Sequence, residues 1–169
     1  MIPLIEILNV TRLIIDFRQI IPNIFFTILN LVPNIHSLRI ITFPPLAKLF
    51  GYNGNATDDY LFTHDNKIAK LSLSKISCMA HVFFLIDLFE RVKFITLQQT
   101  SDRDVEQIIR CFLWTLKLEK NHGPMTLCVR ADQEPHDKVG KLQKMIDSGN
   151  FLKDYIIYRR RNKFYLEWK

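Results

Sequence analysis

The sequence predicts an α/β fold, a short curved solenoid in which mostly parallel strands are each backed by a helix and a C-terminal β-hairpin closes the end. Three observations carry this reading. One apolar pattern occurs six times along the chain; the stretches between occurrences change to helical period; and residues 154–169 place mostly apolar or aromatic side chains at alternate positions on one side of a turn.

The returning pattern is apolar, two residues, apolar, one residue, apolar. It begins with Val10, Leu13 and Ile15, and continues with Ile35, Leu38 and Ile40, then Ile68, Leu71 and Leu73. Val92, Ile95 and Leu97 repeat it, Pro124, Leu127 and Val129 do so more loosely, and Leu152, Tyr155 and Ile157 give the last instance. The central residues, at 13, 38, 71, 95, 127 and 155, are 25, 33, 24, 32 and 28 residues apart. Each interval has room for one strand and one helix, so six strands are expected side by side in chain order.

The helices follow in turn. A short one fits between Pro22 and Pro33. The segment from Phe43 to Lys67, with Pro44, Pro45, Gly51 and Gly54, reads as a long irregular loop containing at most a turn of helix at LAKLF. A second helix spans about Met79 to Arg91, with Ser77 as its cap, Val82, Phe83, Ile86 and Phe89 as its apolar body and Asp87 one turn from Arg91. The clearest helix follows SDRD: Val105, Ile108, Ile109, Phe112 and Leu116 lie on one face, Ser101 can cap it and Asp104 suits its first turn. The fourth starts at Pro135, carries Val139, Leu142 and Ile146 on one face, and ends with Gly149 just beyond its last turn. In the tail, Tyr155, Ile157 and Arg159 share a side with Phe164, Leu166 and Trp168 if the chain turns at Arg161 and Asn162, where Asn162 can accept a positive φ.

The L-x-x-L-x-L-like cores alternating with helices resemble leucine-rich repeats of the long, helix-containing kind, as in ribonuclease-inhibitor-like horseshoes and the substrate-recognition half of F-box proteins. The resemblance runs from about Val10 to the C-terminus, as a single domain over residues 1–169. It departs from the family pattern in lacking most of the asparagines or cysteines that follow each core; Ile76 and Ser77 stand there in one repeat. The resemblance implies a protein-recognition role, with recruitment of substrates for ubiquitination and ubiquitin-ligase components as partners. No F-box segment is visible, and the apolar opening MIPLIEILNV lacks the polar cap a solenoid needs, so this end is expected to continue into more protein or to meet another subunit.

Composition sets the outer bounds. At 169 residues with 48% apolar and 24% charged side chains, the chain can build one self-sufficient core. Net charge is +6, and residues 151–169 hold six Lys or Arg against Asp154 and Glu167, so most of the excess sits in the tail. Cys78, Cys111 and Cys128 form no C-x-x-C pair, which speaks against a disulfide framework or zinc site and for a reducing compartment, the cytoplasm or the nucleus. All three read as small hydrophobes, Cys111 buried within its amphipathic helix. Ile20 to Ile35 is too short and too interrupted to span a bilayer, so no membrane partner is expected.

Chemistry-bearing motifs are missing from the sequence. The five histidines have no partners at metal-ligand spacing, no glycine-rich phosphate loop occurs among the five glycines, and no nucleophile stands beside a base, so no cofactor, metal or catalytic residue is expected. Function falls instead to a surface. In a curved sheet the residues between the buried positions face the concave side. Arg12, Arg39, Lys70, Phe94, Gln98, Arg130, Ile156 and Tyr158 mix cations with apolar groups there, as in a protein-binding hot spot. The alternative is nucleic acid held at the hairpin tip by Arg159, Arg160, Arg161 and Lys163; it is disfavoured because it leaves the alternation of Phe164, Leu166 and Trp168 unexplained.

Overall fold

The computed structural model describes residues 10–19, 24–45, 67–75, 78–98, 105–118, 123–131 and 138–169. They form an α/β structure with a seven-stranded, mostly parallel sheet and four helices. The strands are β1 (Arg12–Ile15), β2 (Ser37–Thr42), β3 (Lys70–Lys75), β4 (Phe94–Gln98), β5 (Met125–Arg130), β6 (Tyr155–Arg160) and β7 (Lys163–Trp168). The helices are α1 (Phe25–Leu31), α2 (Met79–Leu88), α3 (Val105–Leu118) and α4 (Lys138–Gly149).

The sheet order is β1-β2-β3-β4-β5-β7-β6, open at both edges rather than closed into a barrel. The first five strands are parallel and in register along the repeated pattern: Leu13, Leu38, Leu71, Ile95 and Leu127 are successive partners, as are Ile15, Ile40, Leu73, Leu97 and Val129. At the strand entries the backbone repeats too. The carbonyl of Thr11 accepts the amides of His36 and Ser37, that of His36 accepts Ala69 and Lys70, and that of Ala69 accepts Lys93 and Phe94.

Every parallel step moves to the next strand in the same direction. Crossovers of one hand then place all the helices on one face, whereas a doubly wound sheet reverses direction and covers both. The core agrees: Leu38, Leu71, Ile95 and Leu127 are at most 1% exposed and belong to one cluster with Phe25 of α1, Val82 of α2, Phe112 of α3 and Leu142 of α4. Burying each such side chain contributes about 1.5–3 kcal/mol. The other side of the sheet has no helix over it among the described residues.

The sixth pattern instance departs from the expected order. β6 does not lie beside β5; β7 enters between them, antiparallel to both. The physical reason lies in the two strands' side chains. β7 sends Phe164, Leu166 and Trp168 inward, all buried, while β6 offers half-buried Tyr155, Ile157 and Arg159. The more apolar strand takes the doubly flanked position, and the cationic one becomes the edge, where charge discourages further pairing.

Local details also differ from expectation. At the hairpin turn Arg161, not Asn162, has the positive φ, 58°, and the Arg159 Nε donates to the Arg161 carbonyl at 2.9 Å, holding the turn. α2 is capped by Cys78, whose Sγ accepts the Ala80 amide at 3.4 Å, and it ends at Leu88, leaving Arg91 beyond it. Gly149 is the last helical residue of α4, and Asn150 takes the left-handed conformation at φ 48°. The amides of Asn150 and Phe151 donate to the carbonyls of Asp147 and Ile146, a Schellman closure that folds Phe151 back over the last turn. Cys111 is exposed, because it lies off the face formed by Val105, Ile108, Phe112 and Leu116. The expected caps Ser77, Ser101 and Pro135, the opening residues 1–9 and most of the long loop (46–66) lie outside the described residues. Phe43, assigned by sequence to that loop, is buried against Phe17 and His81.

Candidate functional site: the open face of the sheet

Strand alternation sends every second side chain away from the helices, and the register fixes who stands beside whom. Three rows result. The first is Arg12, Ser37, Lys70, Phe94, Thr126, Glu167 and Ile156. The second is Ile14, Arg39, Ser72, Thr96, Cys128, Tyr165 and Tyr158. The third closes with Gln98, Arg130, Lys163 and Arg160 as direct partners.

A shallow depression of about 320 Å³ lies across these rows. Its rim and floor are built by Arg12, Arg39, Lys70, Arg130 and Lys163, with Ser37, Ser72 and Thr96 as hydroxyls, Gln98 as an amide and Phe94 as the aromatic surface. Among the described residues five cations and no carboxylate line it. Arg39 is steadied by Ser74, whose Oγ accepts from both Nε and Nη2 at 3.3 Å. Asp16, beyond the strand end of β1, is held by the Arg18 side chain, and that hydrogen bond keeps its carboxyl well below the usual range, so its charge is already answered.

Six of the eight residues expected on the binding face, Arg12, Arg39, Lys70, Phe94, Gln98 and Arg130, meet in this depression. The other two stand apart. Ile156, 64% exposed, borders a larger recess of about 760 Å³ at the opposite end of β5, β7 and β6, together with Lys93, Lys153, Glu167 and Trp168. Tyr158 lies between, its ring stacked on Tyr165 at 5.0 Å and 8° and its hydroxyl donating to Glu167 at 2.7 Å. That hydrogen bond is the main reason the Tyr158 hydroxyl titrates above its ordinary value. Phe94 is half-buried, and Cys128 is buried on the open face, where loss of solvent pushes its thiol up despite hydrogen bonds from Tyr165 and Thr96.

The four cations of the hairpin tip do not form one patch. Arg159 turns to the helix side, its guanidinium 5.2 Å from the Phe164 ring centre. Lys163 and Arg160 are partners on the open face, and Arg161 occupies the turn. Lys163, Tyr165 and Glu167 join this face because β7 lies next to β5; the expected face was drawn from the six pattern strands alone, and alternation within β7 was the available signal.

Among the described residues no cluster of His, Cys, Asp or Glu is arranged to hold a metal, and no helix is long and apolar enough to cross a membrane. No protein family, curated protein or solved structure matches the chain.

Proposed function

We propose that this chain is a non-enzymatic recognition module that binds a protein partner on the open face of its sheet. One observation carries the reading. Purely parallel strands are ordinarily covered on both faces, yet among the described residues five parallel strands have helices on one face alone, and the other is furnished with cations around Phe94 and with exposed Ile14 and Ile156. A sheet face dressed with arginine and aromatic groups has the makeup of an interface.

The leucine-rich-repeat resemblance is supported by the in-register rows and by the recurring carbonyl at Thr11, His36 and Ala69. Repeat folds use their strand-lined surface for partners. By that resemblance the partner is a protein selected for ubiquitination, with the ligase components as further contacts. Nucleic acid at the hairpin tip is the weaker reading, since Arg159 is engaged with Phe164 and the tip cations diverge.

The test is affinity capture with the intact chain and with Phe94→Ala plus Arg130→Ala, after matching their melting temperatures. Proteins held by the intact chain are expected to disappear from the double variant. Equal recovery from both would refute the open-face reading.

A further inference from the structure

The chemistry of the depression narrows the partner, on the premise that the open face is the recognition surface. Guarding a sheet edge explains the arginines of β6, but Arg39, Lys70, Arg130 and Lys163 stand on β2, β3, β5 and β7, which are all interior strands. Lys163 and Arg160 are direct cross-strand partners, an arrangement of like charges that opposes pairing. Among the described residues no carboxylate pairs with Lys70, Arg12 or Lys163. An anion seated over these rows would offset the repulsion and complete the hydroxyl and guanidinium donors around it.

We infer that the open face binds an acidic, extended peptide segment of a partner protein, one carrying carboxylates interleaved with aliphatic side chains. The charge calls for an anion, and the apolar groups decide which kind. Ile14, 51% exposed, is the direct neighbour of Arg39 and matches an aliphatic side chain rather than a base. Tyr158 and Tyr165 stack on each other, which takes one face of each ring away from the base stacking that single-stranded nucleic acid uses. An acidic peptide with aliphatic side chains satisfies both the cations and Ile14.

The probe is a fluorescein-labelled peptide of twelve residues in alternating Glu-Glu and Leu-Leu pairs, followed by anisotropy with the full chain at low salt. A labelled oligouridylate of seven nucleotides, whose phosphodiesters match the glutamates of the peptide in number, is the comparison. Saturable binding of the peptide is expected, weakened about tenfold or more by Arg39→Glu with Lys70→Glu and little changed by Lys144→Glu on the helix side. If the charge-reversed chain fails to fold, Arg39→Gln with Lys70→Gln gives the same reading. No binding, binding indifferent to these substitutions, or tighter binding of oligouridylate would each overturn the inference. The two readings fail separately: partner capture lost with Phe94→Ala and Arg130→Ala alongside no peptide binding would keep the recognition face and remove the acidic partner.

Discussion

Two glycines in α4 should respond in opposite directions to the same substitution. Gly140 lies near the start of the helix, and a Cβ built there meets nothing within 4 Å. Alanine at that position restricts the unfolded chain and favours the helix, so Gly140→Ala should stabilise by roughly 0.5–1 kcal/mol. Gly149 closes the helix, and the Schellman turn lays the Phe151 ring over it. A Cβ there would lie 2.8 Å from Phe151 Cζ and closer still to Cδ2 and Cε2. The ring must move, and it is not free to do so without loss: it packs edge-on to Trp114 at 6.2 Å between centroids and lies under Lys117, whose Nζ also donates to the Gly149 carbonyl at 3.2 Å. Overpacking of this kind costs about 1–3 kcal/mol, more than the helix preference returns, so Gly149→Ala should be destabilising. Urea unfolding followed by far-UV circular dichroism measures both. For a chain of this length each kcal/mol corresponds to roughly 2–4 °C in Tm. In a Phe151→Ala background the penalty at position 149 should vanish, giving a coupling on the order of 1–3 kcal/mol. Gly149→Ala as stable as Gly140→Ala in the native background would refute the packing argument.

Thiol accessibility gives a second check: Cys78 and Cys111 are exposed and Cys128 is buried with a raised thiol pKa, so Ellman's reagent should react with two thiols quickly and with the third only on unfolding. Three fast thiols would mean that the open face is looser around Cys128 than described. A third prediction concerns alkaline pH. Burial first, and then the hydrogen bond to Asp147, push the Tyr155 phenol up to about 12 from its ordinary value of 10.0. The neutral phenol is therefore favoured in the folded state, so its contribution is fully present below pH 10 and is lost as pH rises towards 12. Unfolding free energy should fall over that window, and Tyr155→Phe should flatten the fall; an unchanged slope in the variant would remove the assignment.

Much of the sheet was legible in the chain. The residues Leu13, Leu38, Leu71, Ile95 and Leu127 align from sequence alone because strand side chains alternate with a period of two, and a buried face enforces that register on every strand it includes. The helices after SDRD and before Gly149 were legible for the corresponding reason, an apolar stripe of helical period. Their ends were not. Cys78 serves as a cap where serine was expected, and Asn150 takes the left-handed position assigned to glycine, because several residue types can satisfy the same terminal backbone groups.

The candidate site divides along the same line. Alternation alone named Arg12, Arg39, Lys70, Phe94, Gln98 and Arg130 as residues of one face, and adjacency of β1 to β5 brought them together. It could not supply Lys163, Tyr165 and Glu167, which join that face only because β7 enters between β5 and β6. Local sequence determined the period and the inward face of each strand, since these depend on neighbouring residues alone. Which strand sits beside which at the C-terminal end was decided by the tertiary structure, where burial of Phe164, Leu166 and Trp168 competes with the exposure of the arginines on β6.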